Sequence, residues 1–174
     1  MSQWYPIGDR LSARDLWVDV PFDWSAPEGE TIRVFAREVV ESTKLGEDLP
    51  VLLFLQGGPG GKSPRPLDSN GFIGALAHRF RLVLPDQRGT GRSTPVSGAE
   101  FARLPAREGA RRLTRYRADS IVRDMEALRE KHFPGQRWWT LGQSYGGFLT
   151  LHYLSYFPAS VTASAITGGL PGLD

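Results

Sequence analysis

Cysteine is absent from the 174 residues, and only two methionines occur. Without cysteine, the chain can form neither a disulfide framework nor a thiolate metal site. The sequence also lacks an apolar run of the ~20 residues that a membrane-spanning helix needs. The first ten residues lack the basic start and apolar centre of a signal peptide. We therefore expect a soluble cytoplasmic protein with no membrane partner.

A strong excess of one charge is also missing, because 21 lysines and arginines face 19 acidic residues. A net charge of +2 is too weak to argue for a nucleic-acid partner. Six arginines are nevertheless concentrated in one segment: Arg103, Arg107, Arg111, Arg112, Arg115 and Arg117. We interpret this segment as a solvated helical excursion, with contact to an acidic surface elsewhere in the protein as the alternative. Nucleic-acid binding is least favoured, because no aromatic stacking pattern accompanies the arginines.

Strand and helix patterns alternate along the chain. Leu16–Trp24 and Thr31–Val40 flank a turn and predict an antiparallel pair of half-exposed edge strands. The following segments predict strands at Val51–Leu55, Arg81–Leu84, Trp138–Leu141 and Val161–Ile166, and helices at Gly71–Phe80, Ser120–His132 and Phe148–Phe157. This alternation implies βαβ units and a mainly parallel sheet. We expect one α/β domain over residues 1–174, with antiparallel edge strands in 1–45 and parallel units in 46–174.

The segment Gly142-Gln143-Ser144-Tyr145-Gly146 has the G-x-S-x-G pattern of a nucleophile elbow. The pattern alone is weak, but here it follows an apolar strand and opens an apolar helix, which is the context that the motif requires. Glycines two residues before and after the serine avoid side-chain collisions in the strained turn. We predict that Ser144 is a nucleophile with strained or positive φ. The alternative is a glycine-rich turn without chemistry.

A second glycine-rich loop, Gln56–Gly61, follows the third predicted strand. A serine hydrolase needs backbone N–H groups that face the tetrahedral oxyanion. One comes from the residue after the nucleophile, here Tyr145, and the other from the loop after the third strand, here Gly57 or Gly58. A phosphate-binding loop is excluded, because no Gly-Lys-Ser/Thr opens a helix at this point.

A third loop, Asp86–Ser93, follows the fourth predicted strand and is tight, polar and punctuated by glycine. Its composition predicts a structural role. We expect an ion pair between Asp86 and Arg88 to fix this loop beside the site.

Together, Gln56–Gly60, Asp86–Ser93 and Gly142–Gly147, with Val20–Trp24 near the start, resemble the proline iminopeptidase family of α/β hydrolases. The resemblance covers nearly the whole chain. It implies the α/β-hydrolase fold, with helices on both faces of a mostly parallel sheet. It also implies a serine peptidase that releases an N-terminal proline or similar residue from short peptides through a Ser144 acyl-enzyme, with no cofactor and no metal.

Two details of the glycine loop also follow from the resemblance. The Gly58-Pro59 bond is expected to be cis. Gln56 departs from the histidine that many relatives carry, and we interpret it as a mark of the longer members of the family.

The partners that Ser144 needs are not evident in the sequence. The triad order on this fold is serine, acid, histidine, but only 30 residues follow Ser144. His152 is eight positions along the next helix, roughly 12 Å away at the standard rise, and cannot take the serine proton. His78 and His132 precede the serine near predicted helix ends. Asp174, the last residue, is a poor candidate for the acid.

The chain therefore resembles a family member cut after its sixth strand, without the cap, the acid and the histidine. It could be a fragment, one of two chains that assemble the enzyme, or a non-catalytic remnant. A second chain or an oligomer could complete the fold. An inert or partner-dependent α/β module and an esterase-type hydrolase remain open as functions, since a fold does not fix a substrate.

Overall fold

A seven-stranded mixed sheet is the centre of the computed structural model, which describes residues 3–169. The strands are β1 (Tyr5–Ile7), β2 (Leu11–Pro21), β3 (Thr31–Glu41), β4 (Val51–Leu55), β5 (Arg81–Pro85), β6 (Trp138–Gln143) and β7 (Val161–Thr167). Their order across the sheet is β1-β2-β3-β5-β4-β6-β7. The neighbours β5, β4, β6 and β7 are all parallel, which confirms the mostly parallel sheet.

Helices cover both faces of this sheet. They are α1 (Gly71–Ala77), α2 (Gly98–Phe101), α3 (Ala106–Leu113), α4 (Ala118–His132) and α5 (Tyr145–Tyr156). Side chains of β4 alternate between the two layers, because successive residues of a strand point to opposite faces. Leu53 packs with α4 and α5 on one face, whereas Phe54 packs with α1 on the other. The continuous apolar run of β4 therefore reflects burial on both sides.

The antiparallel pair β2–β3 lies inside the sheet, so its predicted edge position is wrong. The unpredicted strand β1 forms the edge and pairs with β2, with Tyr5 opposite Ala13. On its other side β3 pairs with β5. Both long strands are consequently mostly buried rather than half-exposed. Three residues are too few to show a periodic pattern, and β1 raises the strand count of the described residues from six to seven.

The arginine-rich segment is helical, as expected, but two of its arginines contact acidic residues of the β2–β3 turn. Arg112 donates two hydrogen bonds to Glu30, both of 3.1 Å, and Arg115 lies 2.6 Å from Asp23. The remaining members are exposed: Arg103, Arg107, Arg111 and Arg117. The solvated helix and the acidic contact are thus both observed, in different residues of one segment.

None of the helices within residues 3–169 combines the length and the apolar character that crossing a membrane requires.

Candidate active site

Ser144 occupies the turn between β6 and α5 with φ 54° and ψ −119°. A positive φ is unfavourable for any residue with a Cβ and persists only where its surroundings hold it. Here the Ser144 amide donates to Thr167 O at 2.8 Å, and the Ser144 carbonyl accepts from Gly147 N at 2.8 Å. The strained turn predicted from the motif is therefore present. The backbone of Ser144 is neither helical nor extended.

The two motif glycines are required by close backbone contacts. A Cβ on Gly146 would lie 1.8 Å from Leu55 O, and a Cβ on Gly142 would lie 2.2 Å from Gly146 O. Both distances are far inside van der Waals contact. The turn can therefore pack against β4 only when side chains are missing at these positions, which is the steric reason given for the motif.

The glycine loop after β4 lies directly against the elbow. A Cβ on Gly57 would lie 3.1 Å from Ser144 Cβ, so the two residues are neighbours. Tyr145 is the first residue of α5, and the Gly58-Pro59 bond is cis. The structure thus brings together the four residues that the sequence singled out. Their assignment as nucleophile and oxyanion donors stays a prediction.

Gln143, at the first variable position of G-x-S-x-G, also lies in this region. Its side-chain oxygen lies 2.5 Å from where a Cβ of Gly57 would sit, and the residue is exposed. Its exposed amide therefore lies at the junction of the elbow and the glycine loop. The variable position of G-x-S-x-G gave no signal for it.

The predicted Asp86–Arg88 ion pair is wrong, because each residue has another partner. Asp86 pairs with Arg65, which follows the glycine loop, and Arg88 pairs with Asp124 on α4 at 2.5 Å. All four side chains are buried or mostly buried. Asp124 is 36 positions from Arg88, so no local pattern could reveal the contact.

Arg88 makes use of every nitrogen of its guanidinium. Nε and Nη2 donate to the two carboxylate oxygens of Asp124 at 2.6 and 2.5 Å. The other donors reach the carbonyls of Phe22 and Arg115 at 2.8 Å and of Pro21 at 3.1 Å. Bidentate pairs of this kind are among the strongest protein hydrogen bonds. Arg88 therefore joins the end of β2, the arginine-rich segment and α4.

Two of the three histidines lie at helix ends, as predicted, with partners of their own. His78 Nδ1 is 2.7 Å from Glu41 Oε2 beside α1. His132 Nε2 is 3.0 Å from the Trp17 carbonyl at the end of α4. Burial lowers the pKa of His132, which holds the ring neutral at pH 7. Neither histidine is bonded to the elbow.

The third histidine, His152 of α5, packs against Phe148 of the same helix, with ring centroids 4.4 Å apart and the ring planes at 42°. Among residues 3–169, no histidine is hydrogen-bonded to Ser144. Asp174 lies outside the described residues. Over the same range, no group of three acidic or histidine side chains is arranged to hold a metal ion.

A comparison with protein families gives the alpha/beta hydrolase fold over residues 50–173. The chain belongs to the alpha/beta hydrolase fold family. This α/β hydrolase is 47% identical to the proline iminopeptidase of Aeromonas sobria, over 93% of the chain and 38% of that protein. It is 37% identical to the proline iminopeptidase aneH of Aspergillus aculeatus, over 87% of the chain and 35% of that protein. The chain thus spans less than half the length of these relatives.

Solved structures agree on the fold. A proline iminopeptidase-related protein of Thermus thermophilus superposes with a TM-score of 0.55 at 22% identity, over 90% of this chain and 45% of its own. The protein Rv0554 of Mycobacterium tuberculosis gives a TM-score of 0.62 at 19% identity, over 91% of this chain and 47% of its own. At these identities the likeness establishes the α/β-hydrolase architecture alone.

Proposed function

We propose that this chain supplies the nucleophile part of a serine aminopeptidase that releases an N-terminal proline, or a similar residue, from short peptides. The observation that carries the proposal is Ser144 at positive φ with Gly57 packed against it. The similarity to two proline iminopeptidases supports the substrate class.

In the proposed reaction, Ser144 Oγ attacks the carbonyl carbon of the N-terminal residue. The oxyanion of the tetrahedral intermediate accepts hydrogen bonds from the amides of Tyr145 and of Gly57 or Gly58. A general base takes the hydroxyl proton and returns it to the leaving amine, so the shortened peptide departs and an acyl-enzyme remains. Water then attacks the acyl-enzyme while the same base accepts its proton; the base passes this proton to Ser144 Oγ as the ester bond breaks, and the free amino acid is released.

The base and the acid are proposed to come from polypeptide outside residues 3–169. The three histidines of the described range support this, because each has its contacts elsewhere. We favour a continuation of the same chain and keep a second chain as the alternative. We call the assembled form, with base and acid in place, the complete enzyme. A cytoplasmic location also stays a proposal.

A second candidate is an inert or partner-dependent α/β module. The position of the histidines favours it, since a serine without a base keeps the high pKa of an alcohol and is a poor nucleophile.

Product analysis on the complete enzyme tests the first candidate. Peptides with a free N-terminal proline should be cleaved to proline and the shortened peptide. The same peptides with an acetylated amine, and simple acyl esters, should be poor substrates, while Ser144→Ala should remove turnover. Preferred cleavage of esters would favour the esterase hypothesis. Absence of all turnover would favour the inert module.

A further inference from the structure

The glycine loop after β4 is anchored by its ends. Gly57 is buried, whereas Gly58 to Lys62 are exposed. A catalytic donor has to be held within about 0.5 Å of its productive position by groups that are themselves fixed. The neighbours of the loop therefore decide whether Gly57 and Gly58 can serve as donors.

The first end of the loop is held by Gln87. Its Nε2 donates to the carbonyl of Gln56 at 2.9 Å, and Gln56 directly precedes Gly57. The Gln87 residue is only 2% exposed. A buried amide with one hydrogen bond to a main-chain carbonyl fixes that carbonyl and the orientation of the next peptide group.

The far end of the loop is held by Asp86. Its Oδ1 accepts from the Ser63 amide at 2.9 Å, and its Oδ2 pairs with the Arg65 guanidinium. The Ser63 hydroxyl donates in turn to the Pro85 carbonyl. Because Asp86 is fully buried, these charge-assisted bonds are not weakened by solvent.

Asp86 is itself tied to the sheet. Its amide donates to Phe35 O of β3 at 2.9 Å, and its carbonyl accepts from the Ser93 hydroxyl at 2.7 Å. Its Oδ2 also accepts from the Arg92 amide at 2.8 Å. A Cβ on Gly91 would lie 2.2 Å from the same oxygen, which explains a glycine at this point. Both ends of the glycine loop are therefore connected, through Asp86 and Gln87, to strand β3.

We propose that Asp86 and Gln87 are positioning residues that hold the oxyanion donors of the glycine loop beside Ser144. They clamp the loop at Gln56 and at Ser63, and neither is assigned a contact with substrate. This inference rests on the proposed function, because it needs Gly57 or Gly58 to act as a donor. It gives a chemical role to a loop whose sequence alone predicted only structure.

The test is steady-state kinetics of the complete enzyme on a prolyl-arylamide. Gln87→Met removes the donor to Gln56 and keeps the side-chain length. We expect kcat to fall about tenfold or more with KM nearly unchanged, since a displaced donor weakens transition-state binding alone. Ser160→Ala is the matched control. It also removes one hydrogen bond, the 2.8 Å bond from Ser160 Oγ to Glu126 Oε1, but this bond lies away from the glycine loop. It should keep kcat.

Arg65→Met provides a second variant should Gln87→Met fail to fold, since the Arg65 side chain is 22% exposed. It should lower kcat in the same way, and Arg65→Lys, which keeps a cation near Asp86, should restore most of it. Retention of kcat within about twofold by both methionine variants, or an equal loss in Ser160→Ala, would overturn the inference.

Hydrogen exchange at the Gly57 amide separates this inference from the proposed function. Absence of Ser144-dependent turnover in the unmodified complete enzyme would reject the function. The positioning role of Asp86 and Gln87, the clamp, would still be supported if Gln87→Met speeds hydrogen exchange at the Gly57 amide and Ser160→Ala does not. Equal exchange rates in the two variants would reject the clamp whatever the activity.

Discussion

At the scale of single residues, glycines allow the elbow to pack and an arginine forms the central buried ion pair. Gly142 and Gly146 let the elbow close, and their role follows from the motif because the clash is local. The partner of Arg88 could not be derived in this way, because Asp124 comes close only after α4 packs on the sheet. The sequence thus predicts which residues must be small, but not which distant charges meet.

Replacement of Gly146 tests the steric account of the elbow. Gly146→Ala places a Cβ 1.8 Å from Leu55 O, so the free energy of unfolding should fall by about 3 kcal/mol. Gly46→Ala is the matched control, because nothing lies within 4 Å of its added Cβ. It should change stability by less than about 0.5 kcal/mol. Urea unfolding measures both, and equal stabilities would contradict the steric account.

The buried Arg88–Asp124 pair supports a second prediction at this scale. Arg88→Lys loses the bidentate geometry and leaves carbonyls without donors, so we expect a loss of about 3 kcal/mol. Arg112→Lys makes the same change in a more exposed pair and should cost about 1 kcal/mol or less. Similar unfolding midpoints for the two variants would show that Arg88 is not the tie described above.

Strands and helices that are long and covered are the elements that the sequence predicts well. The sequence predicts the strand β4 and the helix α4 because each repeats one pattern over enough residues. The strand β1 was missed because it is three residues long. The edge position of β2–β3 was wrong for the same reason, since β1 takes that edge.

The junction of α4 with α5 carries a pH-dependent interaction. Burial alone would raise the pKa of Glu126, but hydrogen bonds from Arg129, Tyr153 and Ser160 outweigh it and lower the pKa below the ordinary 4.5. A depressed carboxyl pKa stabilises the fold above the unfolded-state pKa, and the contribution is lost as the pH falls through the folded-state value.

We therefore expect Glu126→Gln to lower stability by about 2 kcal/mol at neutral pH. The difference in stability between Glu126→Gln and the unmodified chain should narrow as the pH falls below the ordinary carboxyl pKa of 4.5. Thermal unfolding over this range measures it. A gap that stays constant with pH would contradict the assignment.

At the scale of the whole molecule, β7 is the exposed side of the sheet. Among the described strands it pairs only with β6, and most of its residues are exposed. Ile166, a large apolar residue of β7, is 38% exposed. Unpaired edges and apolar patches of this kind favour association.

The isolated chain should accordingly self-associate or bind a partner. Light scattering should give a mass above that of a monomer, and Ile166→Lys should reduce it, because a charge on an edge strand opposes pairing. Leu113→Lys replaces an exposed leucine of α3 and should leave association unchanged. A monodisperse monomer with cooperative unfolding would contradict this expectation.

Activity of the isolated chain tests the central claim most directly, namely that Ser144 is a nucleophile whose base lies outside residues 3–169. The chain alone, assayed on a prolyl-arylamide, should give turnover indistinguishable from Ser144→Ala. Supplying the missing base and acid, in the same polypeptide or as a second chain, should produce turnover that Ser144→Ala abolishes. Robust turnover by the chain alone, lost in Ser144→Ala, would contradict the account and make one of the three described histidines the base.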